Sequence, residues 1–210
     1  MISPTTVFEH GLRGEPSLAV LRAGRRRELL PVGTWTGGLD HADEMLIAEC
    51  NGPTLDVGCG PGRITAALAR QGLTALGIDI SALAVALTRR RGGTALRRDV
   101  FGPVPGRGRW NTVVLADGNI GIGGDPERLL RRCAELLAPA GHVVLDLEPP
   151  GTGLVVEEVR LSAGDAVSAP FRWCWLGADA VHRVAATAGL APQDIWLAGR
   201  RWQARLGRAT

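Results

Sequence analysis

Thr54-Leu55-Asp56-Val57-Gly58-Cys59-Gly60-Pro61-Gly62 is the stretch on which the reading of this chain turns. A short strand runs into three glycines at alternate positions, and Ile64, Ala67 and Leu68 then take helical spacing up to a stop at Gln71-Gly72. The order is strand, glycine loop, helix. Glycine lets backbone pass close to a ligand because no Cβ stands in the way. The first turn of the following helix offers N–H groups that no helix carbonyl accepts.

Working outward, the same rhythm repeats. Residues 73–78 read as a second strand ending at Asp79, and Ser81 can cap a helix with Leu83, Val85 and Leu87 inside. Residues 94–96 give a third strand ending near Asp99, and residues 110–116 a fourth, apolar through Val113-Val114-Leu115 as a strand covered on both faces should be. Asp125-Pro126-Glu127 opens a helix that buries Leu129, Leu130, Cys133, Leu136 and Leu137. Pro139-Ala140-Gly141 then turns the chain into a fifth strand, residues 142–147. Strands alternating with helices over short connections predict a parallel sheet with right-handed crossovers.

The flanks are less regular. Residues 1–36 read as an arm or lid with a weak helical pattern through Leu18, Leu21 and Leu29, and residues 40–50 as a helix capped by Asp40 with Met45, Leu46 and Cys50 inside. After residue 150, residues 154–161 and 171–176 read as strands or a hairpin, and residues 178–188 as a helix. Residues 195–197 and 202–206 read as an antiparallel edge hairpin closed at Ala198-Gly199. The expected fold is α/β: a Rossmann-like, mostly parallel seven-stranded sheet with helices on both faces and a C-terminal antiparallel hairpin strand. It forms a single domain over 1–210, with a core at 37–150 and a substrate-side insertion, helix and hairpin at 151–210.

Composition narrows the partners. The 24 basic residues, all Arg, balance 21 acidic ones to a formal charge of +3, too even to predict a nucleic-acid partner. The clusters at 25–27, 89–91 and 97–98 read as solvated faces. No apolar run reaches the roughly 18 residues of a spanning helix, and Met1-Ile2-Ser3-Pro4 opens no signal-peptide pattern, so a cytoplasmic location and no membrane partner are expected. Cys50, Cys59, Cys133 and Cys174 are scattered without zinc spacing and read as buried free thiols.

Residues 55–62 match, position by position, the first motif of class I S-adenosylmethionine-dependent methyltransferases, and the chain resembles that family from about residue 40 to 206. Dinucleotide sites want G-x-G-x-x-G, whereas Gly58, Gly60 and Gly62 follow G-x-G-x-G with Arg at 63. The resemblance implies S-adenosylmethionine as cofactor and S-adenosylhomocysteine as product. It places Asp56, Gly58, Cys59, Gly60 and Gly62 at the methionyl end, Asp79 on the ribose hydroxyls and Ile80 against the adenine. Asp99 and the Val100 N–H fall at the adenine edge, and Asp117 beside the departing methyl. A helix cap remains the other reading of Asp79, and a surface partner of Arg98 that of Asp99.

Methyl transfer is an in-line displacement in which positioning supplies most of the rate, and a base serves only when the acceptor must lose a proton. His41, Asp117 and Glu148 are the candidates, with helix capping as the alternative for the first two and a surface acid for the third. Glu148-Pro149-Pro150 stands where a metal-assisted methyltransferase would need an Asp-Asn pair, so no metal is expected. The expected reaction methylates an oxygen or nitrogen of a small metabolite, in a monomer or homodimer. The acceptor pocket is roofed by residues 1–50 and the insertion at 154–176, and lined by Trp35, Phe171, Trp173 and Trp175. An RNA or protein methyltransferase is the second reading, and an NAD-dependent oxidoreductase the third.

Overall fold

The computed structural model describes residues 1–14 and 17–209. Helix α1 (Pro4–Leu12) starts where Ser3 accepts from the Thr6 N–H and Pro4 takes the first helical position. Strands β1 (Ala19–Arg22) and β2 (Glu28–Leu29) follow as an antiparallel pair, then α2 (Val32–Thr36) and α3 (His41–Ala48). The helical pattern expected through Leu18, Leu21 and Leu29 is therefore corrected: Leu21 lies on β1 and Leu29 on β2. The other partner of β1 stands far along the chain, out of reach of any local periodicity. Asp40 caps α3 as expected, in a reciprocal box with Asp43, while Met45 is exposed and Ala42, Leu46 and Ile47 face inward.

The central sheet is built from β3 (Thr54–Val57), β4 (Ala75–Asp79), β5 (Ala95–Arg97), β6 (Trp110–Leu115) and β7 (Leu137–Leu147), all parallel. Helices α4 (Arg63–Arg70), α5 (Ala82–Arg90) and α6 (Pro126–Leu136) fall between them. Side chains alternate along a strand, so both faces are apolar. Val113, Leu115, Val143 and Leu145 pack with Leu129, Leu130 and Cys133 of α6, whereas Val114, Ala116 and Val144 pack with Leu46, Ile47, Ile64 and Leu68. Ser81 caps α5, but its inner face is Ala84, Val85 and Thr88 rather than Leu83 and Leu87. A Cβ at Gly62 would stand 2.6 Å from Thr88, and this close approach of loop and helix selects small residues.

Beyond β7 the chain leaves the central sheet to form β8 (Leu154–Ala163), β9 (Ala166–Val167) and β10 (Phe171–Leu176). These join β1 and β2 in a second, antiparallel sheet of order β10-β8-β1-β2, with β9 against β8. After α7 (Val181–Ala186), β11 (Leu190–Ala198) and β12 (Arg201–Arg208) return to the first sheet. Its order is β11-β12-β7-β6-β3-β4-β5, with β12 antiparallel to β7 and β11. This is the mostly parallel seven-stranded sheet, with helices on both faces, that the sequence predicts.

The two sheets meet through the glycine-rich run after β6. Residues Asn119–Gly124 form a kinked 3-10 turn against β10, where a Cβ on Gly121 would collide with the Trp173 indole and one on Gly124 with Arg172. Gly121 and Gly124 are thus small for packing. They let one backbone lie on another.

Candidate functional site

A cavity of about 940 Å³ opens between the carboxyl edge of the parallel strands and the antiparallel roof. Its floor is the β3–α4 loop. Gly58, Gly60 and Gly62 have φ of 72°, 52° and 85°, left-handed values that strain any side chain with a Cβ. A Cβ on Gly58 would press on Asn119, whose Nδ2 donates to the Val57 and Gly58 carbonyls at 2.9 and 3.0 Å. One on Gly60 would meet nothing nearer than the Gly58 carbonyl at 4.0 Å, so the loop is braced from behind and bare in front.

Asp79 closes β4 at the cavity wall. Its carboxylate accepts from the Gly60 N–H at 3.0 Å and the Ser81 N–H at 2.8 Å, while burial raises its pKa. The helix cap itself is Ser81, whose Oγ accepts from the Ala84 N–H. Beside Asp79, Ile80 is 54% exposed and also lines the cavity, an apolar side chain held open at its mouth. Asp99, exposed, accepts from the Phe101 N–H at 2.9 Å, and Val100 is buried next to it; both line the cavity.

Residues 54–141 match the family model described as a methyltransferase domain. Over these residues, less than half of the chain, the parallel core is similar to a methyltransferase domain. A solved S-adenosylmethionine-dependent methyltransferase from Bacteroides fragilis, in complex with S-adenosylhomocysteine, shares the fold with a TM-score of 0.81 at 22% identity, over 99% of this chain and 94% of that one. The 1,6-didemethyltoxoflavin N1-methyltransferase of Burkholderia thailandensis gives 0.59 at 20% identity, over 80% and 76%. The ribosomal RNA small subunit methyltransferase C of Chromohalobacter salexigens is 37% identical over 101 residues, 43% of this chain. The match spans only 30% of that protein's length.

Asp56 lies under the loop, fully buried, and accepts from Thr65 Oγ1 at 2.6 Å, tying β3 to α4. Burial pushes its pKa from 3.8 to about 7 against that bond. An acid whose folded pKa is raised adds stability below its unfolded value and loses it as pH rises through the folded one. Stability from this group is thus complete below about pH 4 and gone above about pH 7. Urea denaturation of Asp56→Asn beside the parent should show the parent losing about 3 kcal/mol more than the variant between pH 5 and 8. A difference that stays constant with pH would refute the buried, proton-holding carboxyl. Cys59, also under the loop, is a buried thiol packed with Val85 and Ala95.

At the β6 end, Asp117 adopts φ 54° and is spent on neighbours. Its Oδ2 accepts from Arg63 Nη2 at 2.6 Å, its Oδ1 from Arg201 Nη1 at 3.4 Å, and its N–H donates to Asp146 Oδ2 at 2.7 Å. Arg63 also pairs with Asp43, and Arg201 with Asp40 and Asp43. Gln203, wholly buried, donates to Asp146 and to the Ala42 carbonyl and accepts from Trp196. Of this network only Asp117 and the Asp40 cap were singled out from sequence. Asp146, an acid inside an apolar strand, was the signal to look for a buried partner.

The three candidate bases separate. His41 is exposed on α3 and lies outside the cavity lining, so its expected place near the mouth is corrected: the Asp40 cap turns that residue outward. Asp117 is held by two arginines. Glu148 lines the cavity, half-buried, its backbone pinned to the end of β10 by bonds with the Leu176 and Ala178 main chain. Burial raises its pKa, assisted by Glu28 and Asp146 and opposed by Arg22. Trp35, Phe171, Trp173 and Trp175 all line the cavity, joined by Phe8 from α1, which the sequence did not single out.

Proposed function

We propose that this chain transfers a methyl group from S-adenosylmethionine to an oxygen or nitrogen of a small metabolite, working in the cytoplasm. One observation carries the reading: a single cavity runs from the bare glycine loop to an aromatic roof, with Asp79 and Ile80 at one end and Trp35, Phe171 and Trp173 at the other. Its volume of about 940 Å³ is near the top of the ~300–1,000 Å³ of ligand sites, room for a cofactor and an acceptor together. The open space in front of Gly60 is what a close-packed ligand needs. The four cysteines, all free and buried, accord with a reducing compartment.

S-adenosylmethionine supplies an electrophilic methyl on a sulfonium. Gly58 to Gly62 and the first turn of α4 would take the methionyl end, with Asp117 beside it and Asp56 and Cys59 supporting the loop from beneath. Asp79 would hold the ribose hydroxyls, Ile80 one adenine face, and Asp99 with the Val100 N–H the adenine edge. The roof excludes water and orients the acceptor, and Glu148 is the group placed to receive a proton.

RNA or protein methylation stands second, prompted by the ribosomal RNA methyltransferase relative. It needs free cations along an open cleft, whereas Arg89, Arg91, Arg97, Arg132 and Arg208 donate to backbone carbonyls of this chain. An NAD-dependent oxidoreductase stands last, on the spacing of the loop glycines. Thermal unfolding with ligand tests the reading. S-adenosylhomocysteine at 100 times its Kd should add about 2.7 kcal/mol and raise Tm by roughly 5–10 °C, with NADH giving no shift. The reverse pattern would replace methyl transfer by dinucleotide chemistry.

A further inference from the structure

The roof presents one face to the cavity. Across the β-pairs, Val20 stands opposite Glu28 and Leu161, Phe171 opposite Val159, and Trp175 opposite Val155. Alternation puts Trp173 and Trp175 on that face, and Arg172 of the same strand also reaches the cavity lining. Arg22 shares the cavity-side face, but its charge is used: it donates to both oxygens of Glu157 at 2.7 Å and stacks on Trp175 at 3.8 Å. Two carboxylates remain. Among the described residues, neither Glu28 nor Glu148 makes a side-chain hydrogen bond or ion pair. A second cavity of about 300 Å³ adjoins the first; Glu28, Glu148 and Trp175 line both, and Arg22 and Arg25, which pair with Glu157, line the second as well.

Carboxylates at a cavity mouth beside aromatic rings, Glu28 exposed and Glu148 half-buried, are a site for a cation, which gains from the charges and from the ring faces together. A hydroxyl acceptor fares worse there, since losing its proton would create an anion next to two others. We propose that the methyl acceptor is an amine on a ring-sized apolar body, held as its ammonium between the aromatic wall and the Glu28 and Glu148 carboxylates. This rests on the methyl-transfer reading above. One ammonium proton passes to a Glu148 carboxylate oxygen, leaving the nitrogen with a free electron pair and the glutamate as its neutral acid. Burial and the neighbouring Glu28 favour Glu148 as that proton's acceptor, against the opposing charge of Arg22.

Titration calorimetry on the full chain saturated with S-adenosylhomocysteine tests this with pairs that differ only in the terminal group: tryptamine against tryptophol, and phenethylamine against 2-phenylethanol. The amines should bind at least about tenfold more tightly than the alcohols. In Glu28→Gln/Glu148→Gln that preference should fall below about threefold while S-adenosylhomocysteine affinity, which also reports a folded protein, is unchanged. Alcohols binding as well as amines, a preference that survives in the double variant, or no binding of either member at millimolar concentration would overturn the proposal. If S-adenosylhomocysteine itself fails to bind the parent, the cofactor reading falls first and this one with it.

Discussion

Asp79→Ala is expected to lower S-adenosylhomocysteine affinity by about 2–4 kcal/mol, the worth of two charge-assisted bonds to ribose hydroxyls in a partly dry site. A cofactor contact and a structural role were alternatives in the sequence, and the structure gives the same carboxylate structural work as well. It holds the Gly60 and Ser81 N–H groups, so alanine should also cost about 1–3 kcal/mol of stability. Asp79→Asn separates the two. Its single amide oxygen can still accept from one of the two backbone N–H groups, so stability should return in part, whereas the charge that strengthens ribose contacts does not. Calorimetry of binding beside urea denaturation reads both quantities. An alanine variant that binds S-adenosylhomocysteine like the parent would remove the ribose role and leave Asp79 as a loop brace alone.

The largest effect on folding should come from Arg63→Met. Arg63 is 4% exposed and neutralises Asp43, itself 1% exposed, and Asp117. Removing the cation strands buried carboxylates, which typically costs about 3–5 kcal/mol. Arg201 still reaches Asp43 at 2.6 Å but Asp117 only at 3.4 Å, so the loss centres on Asp117, and Arg63→Met/Asp117→Asn should recover part of it. The sign with pH follows. A carboxylate without its counter-charge regains stability by taking a proton, so the deficit should be smaller at pH 5 than at pH 8. Denaturation curves at both values decide the matter. A single variant within about 1 kcal/mol of the parent at pH 8 would mean that the network adds nothing beyond its packing.

Much of this molecule was legible because its signals are local. The turn at residues 58–62 needs glycine wherever it occurs, a strand buried on both faces reads Val113-Val114-Leu115, and Asp125-Pro126 starts a helix by its own capping chemistry. The inner face of α5 was misread for a related reason. Hydrophobicity pointed to Leu83 and Leu87, but the close approach of Gly62 to Thr88 favours small size, and no property of the helix alone reveals which neighbour it meets.

By itself, then, the sequence determined the parallel sheet, the glycine loop and the acid at the end of the second parallel strand, since periodicity, capping and positive φ depend on residues a few places apart. The tertiary structure alone decided that residues 19–29 and 154–176 pair as strands of one antiparallel sheet. It also decided that Asp117 is spent on arginines while Glu148, among the described residues, makes no side-chain hydrogen bond or ion pair. Those outcomes depend on pairs such as Arg22 with Glu157 and Arg201 with Asp40, 135 and 161 residues apart. Charge pairing acts through distance in space, and only the folded backbone sets that distance.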